Sequence, residues 1–215
     1  MCLNLTKYKI TAPQEVLEAA RELAAERGMV VTGSEIVGVV PFDAMRRAGR
    51  FYLRRMRKST GVPSRDLVTT AAQAMGLDDV AEFDVDRKVI GMPRQDGPLV
   101  SKAVSEFVDE VSRDTPAPGG GSIAALAGAL SAALASMVAN LSVGKGEFDA
   151  QYPELCDLAE RAQAAKDELV RAVDADTEAC VRCYTPAFWD AHLKGDQAAF
   201  DYLNAEPSDP RVKVT

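Results

Sequence analysis

From Thr115 to Gly144 the chain carries no charged side chain, and near its start stand three consecutive glycines, Gly119-Gly120-Gly121. No other feature restricts the fold as much. Pro116 and Pro118 stiffen the approach, and the glycines let the backbone come close to another surface. Ser122 is predicted to N-cap the helix that follows, whose first-turn N–H groups then face the glycines. Backbone amides at the positive end of a helix dipole suit an anionic or carbonyl-bearing ligand. The spacing fits neither the dinucleotide fingerprint GxGxxG nor the phosphate loop GK[ST]. The segment Ser122–Gly144 is long enough to cross a bilayer. Ala and Ser contribute little to insertion, however, and no aromatic belt or basic cluster flanks the run. The expectation is a helix buried among close-packed neighbours, of this or another subunit, with no membrane partner.

Upstream, the pattern is α+β. Leu3-Asn4-Leu5-Thr6 reads as a short strand, and Thr11 as the cap of a helix with Pro13 in its first turn, ended by Gly28. Met29–Thr32 and Ile36–Val40 are β-branched runs on either side of Gly33-Ser34, predicted as strands joined by a turn or bulge. Pro41 opens a helix through Met56, and Ser64 another through Met75, closed by Gly76. Gly91–Pro98 has the composition of a linker. Beyond it Leu99–Arg113 is predicted as an amphipathic helix with Val100, Ala103, Val104, Phe107, Val108 and Val111 inward. Pro153 to about Cys183 makes a further helix with Leu155, Leu158, Ala159, Ala162, Leu169, Val170 and Val173 as its stripe. The fold class is therefore an α+β N-terminal part followed by an all-α helical bundle, truncated by comparison with the family that the chain resembles. The domains are residues 1–92, a linker at 93–98, and 99–215 with an atypical tail from about 182. Trp189, Phe200 and Tyr202 are expected to form a short helical cap.

The 215 residues suffice for one or two domains, and 47% hydrophobic with 27% charged residues is the composition of a globular protein. The net charge of −7 is uneven: residues 1–93 hold 14 basic against 12 acidic side chains, and 94–215 hold 11 against 20. Neither part is basic enough for nucleic acid to be the expected partner. Met1-Cys2-Leu3-Asn4 lacks the basic start and apolar run of a secretory signal, so a cytoplasmic location is expected. Cysteines stand at 2, 156, 180 and 183, and His192 is the only histidine. Cys180-x-x-Cys183 lacks the second pair that zinc wants and falls in a helical pattern, so no metal is expected and the thiols read as reduced.

Several of these segments resemble one family. Val100-Ser101-Lys102, Glu106–Val111, Thr115–Ser122, Ser136-Met137-Val138-Ala139-Asn140-Leu141 and Val173-Asp174-Ala175-Asp176-Thr177-Glu178-Ala179 are similar to formimidoyltetrahydrofolate cyclodeaminase. Leu3–Tyr8 and Gly33–Pro41 resemble the C-terminal subdomain of glutamate formiminotransferase, which bifunctional proteins carry fused in this order. The resemblance implies cyclisation of 5-formimidoyltetrahydrofolate to methenyltetrahydrofolate with release of ammonia, in histidine degradation. Tetrahydrofolate would be substrate and carrier, with or without a polyglutamate tail.

It also implies a site. Asn4, Leu5 and Thr6 match part of a folate-contacting segment, and Pro118, Gly119, Gly120, Gly121 and Ser122 form the loop expected to hold the pterin. Asp176 matches the catalytic aspartate, with Asp174 the alternative. Two residues apart on a helix, they point in different directions and cannot form a close dyad. The transferase histidine belongs to a subdomain upstream, so no formimino transfer is expected of this chain alone, and a separate polypeptide is a candidate source of that subdomain. Arg46, Arg47, Arg50, Arg54, Arg55, Arg57 and Lys58 on the Pro41 helix offer a docking face for an anionic polyglutamate, although a solvated helix face is the preferred reading. Association into a homo-oligomer through the helical half is expected. The alternative to an enzyme is a non-catalytic, folate-binding or self-associating remnant.

Overall fold

The computed structural model describes residues 2–79, 81–93, 96–115 and 117–194, with side chains up to Ala175. The side chains of Asp176, Cys180, Cys183, Trp189 and His192, and all of residues 195–215 with Phe200 and Tyr202, lie outside the described part. The chain forms two compact units, one of residues 1–93 and 133–164, the other of 94–132 and 165–215.

In the first unit the helices are α1 (Pro13–Ala25), α2 (Phe42–Arg55), α3 (Ser64–Met75) and the short α4 (Val85–Lys88). The described strands are the two-residue β1 (Val40–Pro41) and β2 (Val89–Ile90), which pair in parallel with Val40 opposite Val89. The core lies between α2 and α3. Ala44, Met45, Ala48 and Tyr52 recur at helical spacing on α2 and meet Val68, Ala71, Ala72 and Met75 of α3. Gly49 permits that approach, since a Cβ there would run into the backbone of Leu67. Both helix boundaries follow the sequence closely. Gly76 ends α3 in the left-handed region at φ 62°, where a side chain would be strained.

The remaining expected strands do not form. Leu3–Thr6, Met29–Thr32 and Ile36–Val39 carry no strand and belong to no described ladder. Val30 and Val37 are each 87% exposed. The cap of α1 is Ala12 rather than Thr11: Glu15 reaches back to accept from the Ala12 N–H at 3.0 Å.

The second unit contains α5 (Val104–Val111), the start of α6 (Gly120–Ser142) and the later part of α7 (Tyr152–Lys194). Residues 133–142 of α6, a 3₁₀ turn at Gly146–Gln151 and the start of α7 belong to the first unit. Helix α5 begins five residues later than its apolar pattern suggests. Residues 98–102 form turns instead, and Ala103 is extended. Phe107 is buried and Val100 and Val111 half-buried, but Val104 and Val108 are exposed, contrary to expectation.

Helix α6 also departs from expectation. Ser122, Ala125, Ala129, Ser136 and Ala139 are buried, while Leu130, Leu134, Met137, Val138 and Leu141 are exposed. The small residues face inward because they allow close helix contact, and the large apolar ones are left outside. Among the described residues α6 is the one helix long and apolar enough to cross a membrane by length and composition.

Candidate functional site

In the second unit the glycine loop and residues 173–174 of α7 are held together by specific bonds. Helix α6 begins at Gly120, and its first backbone bond runs from Ile123 N to Gly119 O at 3.3 Å. Ser122 therefore lies inside the first turn and is not the N-cap. Its fully buried hydroxyl donates to the Val173 carbonyl at 2.7 Å. The helix can start ahead of Ser122 because glycine tolerates both loop and helical backbone. Gly120 and Gly121 are exposed, Pro118 and Gly119 half-buried, and a Cβ at Gly120 would meet nothing within 4 Å. First-turn amides have no intrahelical acceptor, so this open edge can receive a ligand oxygen.

Asp174 has a different environment from the one its motif suggests. Its carboxylate accepts from Leu99 N at 2.7 Å and from Val100 N at 3.4 Å. It packs so tightly on Gly97 that a Cβ there would overlap it. The capture of these two amides explains the late start of α5: residues 97–102 wrap the Asp174 carboxylate and only afterwards turn helical. Beneath the contact Leu99, Phe107, Ala125 and Val173 form a small apolar core. Sequence reasoning missed Gly97 and Leu99 as partners, since nothing in a linker composition points to one distant acceptor. The side chain of Asp176 lies outside the described residues.

Asn4, Leu5 and Thr6 belong to the first unit and line a shallow groove of about 420 Å³ with Lys7, Ile10 and Thr11. They and the glycine loop thus fall in separate units. The basic face of α2 is engaged in ion pairs and is not simply solvated. Asp43 takes Arg46 at 2.5 Å and Arg47 at 3.0 Å, and Glu18 takes Arg55. Arg50 and Arg54 converge on Glu160 of α7 at 3.0 and 2.9 Å. Glu18 also accepts from Tyr52 at 3.1 Å. Burial, then the neighbouring Glu18 charge, push the Tyr52 phenol up to about 12. Burial tends to raise Glu18 itself, but bonds from Arg21, Arg55 and Tyr52 outweigh it and hold the carboxyl low. Burial lowers the Arg50 guanidinium, with Glu160 opposing.

The same unit holds a polar network that no motif announced. Thr60 donates to Glu160 at 2.6 Å, and Ser59 to Asn140 Oδ1 at 2.5 Å. The Gly61 carbonyl accepts from Ser136 at 3.0 Å and from Asn140 Nδ2 at 2.9 Å. Gln163 Nε2 donates to Ser136 Oγ at 3.0 Å. Gly61 meets Ala159 so closely that no side chain fits. Each contact joins residues far apart in sequence, which is why a linear reading could not find it.

Comparison with known sequences completes the description. Residues 1–93 match the Formiminotransferase domain, and residues 103–185 match the Formiminotransferase-cyclodeaminase family. Formimidoyltransferase-cyclodeaminase of Rattus norvegicus is 36% identical over 184 residues, 84% of this chain and 34% of that protein. The Gallus gallus protein of the same name is 33% identical over 180 residues, 82% of this chain and 33% of that protein. Methenyltetrahydrofolate cyclohydrolase of Methylorubrum extorquens is 34% identical over 79 residues, 37% of this chain and 38% of that protein. The chain spans about a third of the length of the curated relatives it matches.

Proposed function

We propose, from the chain's membership of the formimidoyltransferase-cyclodeaminase family as a piece carrying parts of both domains, that it acts on tetrahydrofolate-bound one-carbon units of histidine degradation. The reaction is cyclisation of 5-formimidoyltetrahydrofolate. N10 attacks the formimidoyl carbon and gives up its proton, the former imino nitrogen gains protons, and the carbon–nitrogen bond breaks to release ammonia. Ammonia leaves poorly until protonated, so a carboxylate that moves a proton between the two nitrogens is the minimum equipment. The folate itself supplies the nucleophile through N10, and this step needs no metal.

One observation carries the reading: the exposed Gly120-Gly121 edge at the start of α6, bonded through Ser122 to the Val173 carbonyl. It sets amides fit for a folate carbonyl or carboxylate beside the chain segment that bears Asp174 and Asp176. Proton relay is assigned to one of these two aspartates, Asp176 by motif with Asp174 the alternative. The groove at Asn4, Leu5 and Thr6 is assigned to folate contact in the transferase part. Transferase turnover is assigned to this chain only together with the subdomain that bears the transferase histidine.

The exposed Leu134, Val138 and Leu141 of the first unit favour self-association through the helical part, in a cytoplasmic setting. They equally support a second reading, a folate-binding or self-associating module without turnover. The two readings separate on the near-ultraviolet absorbance of methenyltetrahydrofolate. Formation from formimidoyltetrahydrofolate above the spontaneous rate is the expected result, and a rate at the uncatalysed baseline leaves only the module.

A further inference from the structure

We propose that Asp174 is a positioning residue that fastens segment 97–102 to α7, and not the proton relay of the cyclisation. This divides the labour of the aspartate pair and rests on the reaction assigned above. Three observations meet at its carboxylate. One oxygen accepts from Leu99 N at 2.7 Å and the other from Val100 N at 3.4 Å. Gly97 closes over the group with no room for a Cβ. One residue earlier, the Val173 carbonyl receives the buried Ser122 hydroxyl at 2.7 Å.

Consecutive residues of α7 thus clip two segments distant from it in sequence, the 97–102 turn through a side chain and the glycine-loop helix through a carbonyl. A relay must reach the reacting nitrogens of the substrate and exchange a proton with them, whereas both Asp174 oxygens are engaged by backbone N–H groups of the 97–102 turn. The chemistry suits a fixed anchor, and the relay falls to another carboxylate, Asp176 being the candidate by motif.

The test uses the full chain with Asp174→Ala, Asp174→Asn and Asp176→Asn, followed by amide hydrogen exchange and by the pH profile of cyclisation. In Asp174→Ala the Leu99 amide is expected to exchange about ten-fold faster, the equivalent of about 1.4 kcal/mol for one charge-assisted bond. In Asp174→Asn the remaining Oδ1 still accepts from Leu99, so protection returns in part. Asp176→Asn leaves it unchanged. Cyclisation by Asp174→Asn should be slower at every pH while the ionisation limb of the parent profile persists. An unchanged Leu99 amide in Asp174→Ala, or loss of that limb in Asp174→Asn, overturns the proposal. If the parent shows no turnover, the assigned reaction fails, and the exchange result alone upholds or overturns the tether. If Asp174→Ala does not fold, Asp174→Glu, which shifts the oxygens by one methylene, gives the same exchange comparison.

Discussion

Arg50 of α2 and Glu160 of α7 meet at 3.0 Å, with only 23% and 16% of their side chains exposed. The carboxylate also serves Arg54 and Thr60. Removing Glu160 would leave the Arg50 guanidinium half-buried with Nε already lacking an acceptor. Glu160→Ala is expected to destabilise the first unit by about 2–3 kcal/mol, the cost of stranding a partly buried charge. The change appears as a lower urea midpoint with an unchanged m-value. A midpoint within error of the parent would show that Arg54 and Arg50 find water instead.

Gly61 carries a second prediction. Its carbonyl accepts from Ser136 and Asn140 while its Cα lies against Ala159. Gly61→Val should force α7 outward and cost about 1–3 kcal/mol or more. Gly146→Val, at a site where nothing lies within 4 Å and φ is not positive, serves as the control for adding the side chain itself. Equal losses in both variants would remove packing as the cause.

Ser122 has no solvent exposure, and its hydroxyl donates to Val173 O. Ser122→Ala is expected to cost about 1–2 kcal/mol through the buried carbonyl left short of a donor. Thermal unfolding of the full chain measures it. Gly120→Leu should behave oppositely: stability is kept, because the side chain enters open space, while affinity for a tetrahydrofolate analogue falls about ten-fold or more by calorimetry. Unaltered affinity would move the ligand away from the loop.

Glu18 of α1 and Tyr52 of α2 contribute to the pH dependence of the first unit, alongside Asp43, Asp86 and Tyr152. The Glu18 carboxyl is lower in the folded than in the unfolded chain. Acid therefore protonates the unfolded state first, and stability is lost as pH falls through and below the usual glutamate range. Tyr52 is raised from 10.0 to about 12, so its contribution is complete below 10 and fades as pH climbs toward 12. Denaturant midpoints plotted against pH should fall at both ends. Tyr52→Phe should weaken the alkaline fall, part of which Tyr152 keeps, and by removing one donor to Glu18 should also shrink the acid one.

Much of this was legible in the chain. The boundaries of α2 and α3 followed from Pro41, Ser64, Gly76 and the apolar spacing between them, because capping and helical periodicity are local properties. The glycine loop, the apolar helix behind it and the family resemblance were also readable. The strands at Leu3–Thr6 and Met29–Thr32 were misread because β-branched composition permits a strand but cannot supply its neighbour. The late start of α5 was missed for a related reason: the acceptor that holds Leu99 and Val100 out of a helix is Asp174, 75 and 74 residues away.

The amino-acid order by itself determined which segments are helical, where glycine must stand, and which family the chain joins, since those depend on near neighbours and on motif spacing. Only the tertiary structure decided that Ser122 serves Val173, that Asp174 holds a turn, and that Arg50 turns inward to Glu160. A side-chain oxygen or guanidinium has many partners open to it along an unfolded chain, and packing selects among them.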